Sequence, residues 1–323
     1  MKQNQRYRSF HVDINDYKIN QQIQNGGFGI VYSVINKKTN KILAAKVLHT
    51  KLDENQYKKM INQEIGIMIR CKHPTIIKFY GFSSKDFVDQ QNVTIFMEFA
   101  EKGSLADYLD KSRKGLSDVL FDNTVRQIIL VGIARGMMHL HQNGVIHRDL
   151  KPGNILLDKD MRPHITDFGL SKINNNLSSQ SQQCGTSIYM APEVHEGNHY
   201  NGKADIYSFG ILMYEVVTDS IPYPLFQSGK LSALKFTNKI VYENYRPEFT
   251  VPVKKSIKNL IERCWLKNPI ERPTFEEIFK KLAYNIEDTF FDIYSEIEKD
   301  VNNENDDDDG KYYLDDVNVD EVV

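Results

Sequence analysis

Val145-Ile146-His147-Arg148-Asp149-Leu150-Lys151-Pro152-Gly153-Asn154-Ile155-Leu156-Leu157 is the run on which the reading of this chain turns. Five polar functional groups (His147, Arg148, Asp149, Lys151, Asn154) and two helix-hostile residues (Pro152, Gly153) sit between apolar pairs. Neither a core strand nor a core helix is written that way. Thirteen residues after Asn154 comes Asp167-Phe168-Gly169, again an acid among apolar and turn residues. An Asn and an Asp offer hard oxygens, which suit Mg²⁺ held jointly with substrate phosphates. Asp149 is then the group to take a proton from a hydroxyl nucleophile.

Two further features lie N-terminal to this run. Gly26-Gly27-Phe28-Gly29 separates two strand-like stretches. Glycines there let backbone N–H groups approach an anion because no Cβ intervenes, although a plain glycine hairpin reads as well. A full G-x-G-x-x-G would begin at position 24, where Gln24 stands. Lys46 lies in the apolar run Ile42–Val47, on the strand face of Ala44 and Ile42. Glu64 is four residues from Met60 and Met68 and seven from Tyr57, so helical geometry puts a carboxylate inside an apolar stripe. A buried carboxylate needs a partner, and Lys46 is the natural one.

Around these residues the pattern is strand-like from Tyr17 to about Val47, helical over 55–70, and strand-like again at Ile76–Phe82 and Val93–Phe99. Beyond Gly103 helices are expected at 104–111, 122–143, 203–218, 254–266 and 274–284, the last capped by Thr274 three residues before Glu277. A sheet-rich first lobe and a larger helical second lobe make an α+β, two-lobed body. Residues 1–16 read as a leader, Asn174–Gln183 as a mobile polar loop, and 285–323 as a disordered acidic tail.

With 323 residues, 41% apolar and 26% charged, the chain has a globular composition, which excludes collagen-like, disulfide-framework and wholly disordered classes. Three cysteines without C-x-x-C spacing argue for a reducing compartment and against a structural zinc site. Met1–Phe10 lacks the apolar core of a signal peptide, and no apolar run approaches the roughly 20 residues of a membrane span. The expectation is a soluble, intracellular, cytoplasmic protein without a membrane anchor. Residues 283–323 hold 15 acidic residues and two lysines, and this charge of -13 leaves +11 on residues 1–282. That basic excess is spread out and the aromatics keep core spacings, so nucleic acid is not an expected partner. Nothing in the sequence fixes an oligomeric state.

The glycine loop Ile23–Val31, Lys46, Glu64, His147-Arg148-Asp149, Asn154, Asp167-Phe168-Gly169 and Ala191-Pro192-Glu193 together resemble a eukaryotic protein kinase, in order and spacing, over residues 17–284. The resemblance implies the bilobal protein kinase fold: a small antiparallel-sheet N-lobe with one helix (17–99), a hinge (98–103) and a larger helical C-lobe (103–284). It implies ATP and Mg²⁺ as cofactors and a protein substrate. By the same resemblance Ile23, Gln24, Asn25, Gly26, Gly27, Phe28, Gly29, Ile30 and Val31 cover the ATP phosphates. Lys46, paired with Glu64, reaches the α/β-phosphates, while Asn154 and Asp167 hold Mg²⁺. Asp149 orients and deprotonates the substrate hydroxyl, and Lys151 neutralises charge on the transferring group. Val31, Ala44 and Leu156 sandwich adenine, Met97 stands at the gatekeeper site, and the backbone of Glu98 and Ala100 bonds the adenine edge. Asp205 becomes the buried acid beneath the catalytic loop, and Glu193 with Arg272 a structural ion pair.

Lys151 two residues after Asp149, and Thr186 as a hydroxyl bridging those two, resemble serine/threonine kinases. Cys264-Trp265 and Arg272-Pro273-Thr274-Phe275 resemble tyrosine kinases and their relatives. A serine/threonine kinase of the tyrosine-kinase-like group satisfies both, with dual or tyrosine specificity left open. Arg148 resembles the family's sensor for a phosphate on the activation segment, which makes Ser178, Ser179 and Ser181 regulatory candidates. Gln24 departs from the first loop glycine, Ser187 from a frequent proline and Tyr207 from a frequent tryptophan. The rival from another class is a pseudokinase scaffold, whose usual mark is loss of the lysine, the base or the metal acid. Lys46, Asp149, Asn154 and Asp167 are all present.

Overall fold

The computed structural model describes residues 7–26, 29–48, 64–117, 121–168, 172–173, 187–197 and 201–284. Strands β1 (Tyr17–Gly26), β2 (Gly29–Asn36) and β3 (Ile42–Leu48) form the expected meander. Strand β5 (Thr94–Glu98) pairs with β3, and β4 (Phe79–Ser83) takes the outer edge, giving an antiparallel sheet in the order β1-β2-β3-β5-β4. The register sets Lys46 opposite Val31 and Ile95, Ala44 opposite Met97, and Leu43 opposite Glu98. Alternation then splits the apolar residues between two faces. Phe82, Val93, Ile95 and Met97 join the main core with helix α1 (Gly66–Arg70), while Tyr17, Val34, Leu43, Ala45 and Phe96 form a second, smaller cluster.

The second lobe is built around helices. A short strand β6 (Gly103–Ser104) leads into α2 (Leu105–Arg113), then α3 (Asn123–Gln142), whose N-cap Asp122 accepts from the Val125 N–H at 2.9 Å. Strands β7 (Val145–Ile146), β8 (Ile155–Leu157), β9 (Pro163–Ile165) and β10 (Lys172–Ile173) follow, and they frame the run that opened the sequence reading. Helices α4 (Pro192–His195), α5 (Gly202–Thr218), α6 (Pro224–Gln227), α7 (Ala233–Tyr242), α8 (Lys255–Cys264) and α9 (Phe275–Tyr284) complete it. Ala204 to Thr218 of α5 are buried without a break, which makes it the central helix of the lobe. Thr274 and Glu277 form the capping box at the start of α9: the Thr274 N–H donates to Glu277 Oε2 at 2.6 Å and the Glu277 N–H to Thr274 Oγ1 at 3.2 Å.

The structure departs from the sequence reading in several places, the short helices α4 and α6 among them. The strand expected from Ile76 begins at Phe79, because Ile76 instead bridges Ile165 of β9 in parallel. Helix α7 has no counterpart among the expected helices: Phe236, Ile240 and Val241 are buried, but Leu234 and Tyr242 are exposed and blur the stripe. The expected leader is, from Tyr7 onward, packed against the sheet, with Tyr7 and Phe10 on the main core and Val12 and Ile14 on the smaller cluster. The expected loop 174–183 and tail 285–323 lie outside the described residues, as do 55–63 of the expected helix 55–70.

Candidate active site

Lys46 projects from β3 to the main-core side and bridges two carboxylates: Nζ lies 3.2 Å from Glu64 Oε1 and 3.1 Å from Asp167 Oδ1. Burial disfavours its charge, but the two carboxylates outweigh that and hold its pKa above the usual lysine value. Burial likewise opposes ionisation of Asp167, and Lys46, with smaller help from His147 and Lys151, overrides it and lowers that pKa. The group at position 46 is therefore a fixed cation, and the one at 167 a fixed anion.

The loop between β7 and β8 is held from beneath by Asp205, which is fully buried on α5. Its carboxylate accepts from the His147 N–H, the Arg148 N–H and His141 Nε2, each at 2.9 Å. These bonds fasten the turn in which Arg148 adopts a left-handed conformation, φ 72°, uncommon for a non-glycine residue. Burial raises the pKa of Asp205, but the bond from His141, the nearby His147 and the Arg148 N–H lower it below the usual value. His147 Nδ1 accepts from the Asp149 N–H at 3.3 Å, which puts the ring proton on Nε2, and that nitrogen donates to the Thr166 carbonyl at 3.0 Å. His147 thus ties the loop to the residue before Asp167.

Asp149 is 8% exposed and faces its neighbours across short bonds. Lys151 Nζ donates to Asp149 Oδ2 at 2.7 Å. Asn154 Nδ2 donates to the Asp149 carbonyl at 2.7 Å and to its Oδ2 at 2.9 Å. With its amide nitrogen so committed, Asn154 presents Oδ1 as its acceptor. Among the described residues no group of three His, Cys, Asp or Glu side chains is placed to hold a metal ion. The donors offered are instead one carboxylate, Asp167, and one carboxamide, Asn154, a sparse oxygen set that suits Mg²⁺ shared with phosphates.

Of the residues expected to sandwich adenine, Ala44 is the cross-strand partner of Met97, and Leu156, opposite His164 and Ser104, is half-buried. The Glu98 N–H donates to the Lys78 carbonyl at 2.9 Å, so that donor is already committed. Glu98 belongs to a three-residue contact that the sequence did not announce. His164 Nδ1 lies 3.0 Å from Glu98 Oε1 and Nε2 lies 3.5 Å from Asp158 Oδ2. Burial works against a charged His164, but Asp158 and Glu98 prevail and push its pKa up to about 9. No motif marks position 164, and only the fold brings its two acids together.

Ile23, Gln24, Asn25 and Gly26 end β1, and Gly29, Ile30 and Val31 open β2, with Gln24 opposite Val31 and Gly26 opposite Gly29. Gly27, Phe28, Thr186, Ser178, Ser179 and Ser181 lie outside the described residues. Ala100 is at the turn after β5, where its carbonyl accepts from the Gly103 N–H at 3.3 Å. Arg272, 1% exposed, pairs with Glu193 through two nitrogens at 2.6 and 2.8 Å and lies over the Tyr207 ring at 5.2 Å.

A two-lobed body, with a lysine bridging two acids at the cleft and an Asp-Lys-Asn constellation on an anchored loop, defines the class. The protein kinase domain matches residues 17–282, and the chain belongs to that family. Serine/threonine-protein kinase STY17 of Arabidopsis thaliana is 29% identical over 273 residues, 84% of this chain and 45% of the relative. The seven transmembrane domain-containing tyrosine-protein kinase 1 of Dictyostelium discoideum is 34% identical over 289 residues, 86% of this chain and 40% of the relative. Serine/threonine/tyrosine-protein kinase HT1 of A. thaliana is 31% identical over 271 residues, 83% of this chain and 66% of the relative. The chain thus spans less than half the length of the first two. Among the described residues no helix is long and apolar enough to cross a membrane.

Proposed function

We propose that the chain is an ATP-dependent protein kinase that transfers the γ-phosphoryl group to serine or threonine hydroxyls of proteins. The observation that carries this reading is the Asp149 cluster: a carboxylate held by Asn154, with the Lys151 ammonium 2.7 Å away, opposite the Lys46–Asp167 pair. Asp149 orients the substrate hydroxyl and takes its proton as the oxygen bonds to the γ-phosphorus and the bond to the β-phosphate oxygen breaks. Lys151 offsets the charge on the moving phosphoryl group, and Lys46 holds the α/β-phosphates in line. Asn154 and Asp167 would hold Mg²⁺, whose charge, when it is bound, neutralises the phosphates. Positioning and fixed charge carry most of such catalysis.

The hydroxyl preference rests on Lys151 and on relatives named as serine/threonine kinases. A relative named as a tyrosine kinase, at 34% identity, supports the second reading, tyrosine or dual specificity. Phosphoamino-acid analysis of a mixed protein substrate after incubation with the chain, Mg²⁺ and γ-labelled ATP separates them. Phosphoserine and phosphothreonine alone are expected. Phosphotyrosine would overturn the preference, and no label at all would overturn the activity.

A further inference from the structure

The segment Tyr7–Asp16 lies ahead of the family match and takes no part in the site described above. Its side chains grip the sheet from both faces. On the face of the Glu64 helix, the Phe10 ring meets Phe79 at 5.8 Å and lines a cavity of about 490 Å³ with Met68, Ile69, Cys71 and Glu98. Past that point burial alternates: Val12, Ile14 and Asp16 are half-buried, while His11, Asp13 and Asn15 are exposed. Val12 and Ile14 pack on the opposite face, over the cluster that contains Leu43, Ala45 and Phe96.

Between the two grips the backbone pairs with the open edge of the sheet. The Val12 N–H donates to the Phe82 carbonyl at 2.9 Å, and His11 bridges Phe82 in parallel register. The approach is close at Gly81, where a Cβ would lie 2.5 Å from Val12 Cγ1 and 2.7 Å from the Phe10 carbonyl oxygen. The far end is tied at the β2–β3 turn, where the Lys37 N–H donates to the Asp16 carbonyl at 2.8 Å and Lys37 Nζ to the Asn15 carbonyl at 2.7 Å. Tyr17 then stacks on Phe96 at 4.2 Å. The segment therefore runs as a strap from edge strand β4 across β5 and β3 to the start of β1.

An edge strand needs cover to prevent stray pairing, and a single backbone bridge would serve. A two-faced grip does more. The strand gripped, β5, ends in Met97 and Glu98, and helix α1 under Phe10 is preceded without a break by a wider helical turn at Glu64 and Ile65. We propose that Tyr7–Asp16 is a positioning strap for nucleotide binding, which fixes the hinge at Glu98 and the Glu64 helix against Lys46 before ATP arrives. The inference rests on the kinase reading only for its ligand, ATP. Order already present in the free protein need not be gained on binding, so loosening the strap weakens nucleotide affinity.

The test uses the full chain and the variant Phe10→Ala/Val12→Ala, with the dissociation constant of a fluorescent ATP analogue measured beside KM and kcat. The affinity loss expected is about fivefold or more, appearing in both Kd and KM for ATP and less in kcat. Hydrogen exchange should speed up at residues 94–98 and 64–70, which lie outside the substituted segment. Phe10→Leu, which keeps an apolar side chain, should recover most of the affinity. A lowered melting temperature with unchanged nucleotide affinity would overturn the proposal and reduce the strap to an edge cover. If the double variant does not fold, Val12→Thr serves: weakened affinity upholds the proposal and unchanged affinity overturns it. A wild-type chain that binds the analogue yet transfers no phosphate would defeat the kinase reading alone, because the strap is judged on binding.

Discussion

Replacing Asp205 with alanine tests how the catalytic loop is held. The carboxylate is fully buried and accepts three bonds of 2.9 Å, from two successive backbone N–H groups and from His141. Truncation removes the acceptor from these donors, at about 1–3 kcal/mol for one as buried as the His147 N–H and less for the part-buried two. Removing one member of a buried charged network costs about 3–5 kcal/mol in all. The expected loss is thus about 4 kcal/mol, a fall in melting temperature on the order of 10 °C for a body of this size. Catalysis suffers as well, because the same bonds fix Arg148 in its left-handed turn and with it the direction of Asp149. Small misplacements of a reacting group cost about 100-fold in rate, and kcat should fall by at least that. Asp205→Asn retains one acceptor oxygen and should sit between wild type and alanine in both measurements. Because the folded-state pKa of Asp205 is depressed, its contribution is present above its unfolded value and fades as pH falls through the carboxylate range. Thermal denaturation and steady-state kinetics decide the matter. A melting temperature and a kcat both near wild type for Asp205→Ala would refute this reasoning.

Three other perturbations follow from the same geometry. Glu193→Ala strips a bidentate partner from Arg272, which is 1% exposed, and should cost about 3–5 kcal/mol in chemical denaturation. His164 has its pKa raised to about 9, so its stabilising contribution is complete below its unfolded value near 6.5 and disappears as pH rises through about 9. His164→Gln should remove that alkaline slope from a pH series of melting temperatures, and an unchanged slope would contradict the Glu98–His164–Asp158 arrangement. Gly136 lets α3 close on β9: a Cβ there would stand 2.5 Å from Thr75 Oγ1 and 2.7 Å from Ile165 Cδ1. Gly136→Ala should lower stability by about 1–3 kcal/mol and raise the Mg²⁺ concentration needed for half-maximal rate, since β9 leads directly into Asp167.

Those residues differ in how far the sequence revealed them. Glu64 was legible because a carboxylate inside an apolar helical stripe is a local contradiction that demands a distant cation, and Lys46 in an apolar strand is the complementary one. The run 145–157 was legible for the same reason, since its polar groups have no place in a regular element. His164 was not legible. On a short strand with Pro163 and Ile165 its local context is ordinary, and its partners come from the hinge and a turn. The strap is illegible for a related reason: its half-buried positions, Phe10, Val12 and Ile14, look like scattered apolar residues until the edge of β4 is in place. Helix α7 is hidden because its exposed Leu234 and Tyr242 break the stripe on which a helix is read. Sequence patterns show a residue that conflicts with its own element, and they are silent about one whose role arises only between elements.

The central claim is that Asp149 serves the transfer step while Lys46, Asn154 and Asp167 hold the nucleotide. The most direct measurement pairs wild type with Asp149→Asn, comparing affinity for Mg-ATP with the rate of phosphate transfer to a serine-containing substrate. Nucleotide affinity is predicted to stay near wild type while the transfer rate falls by roughly 100-fold or more. A variant that transfers phosphate at the wild-type rate, or that loses nucleotide binding along with transfer, would contradict the account.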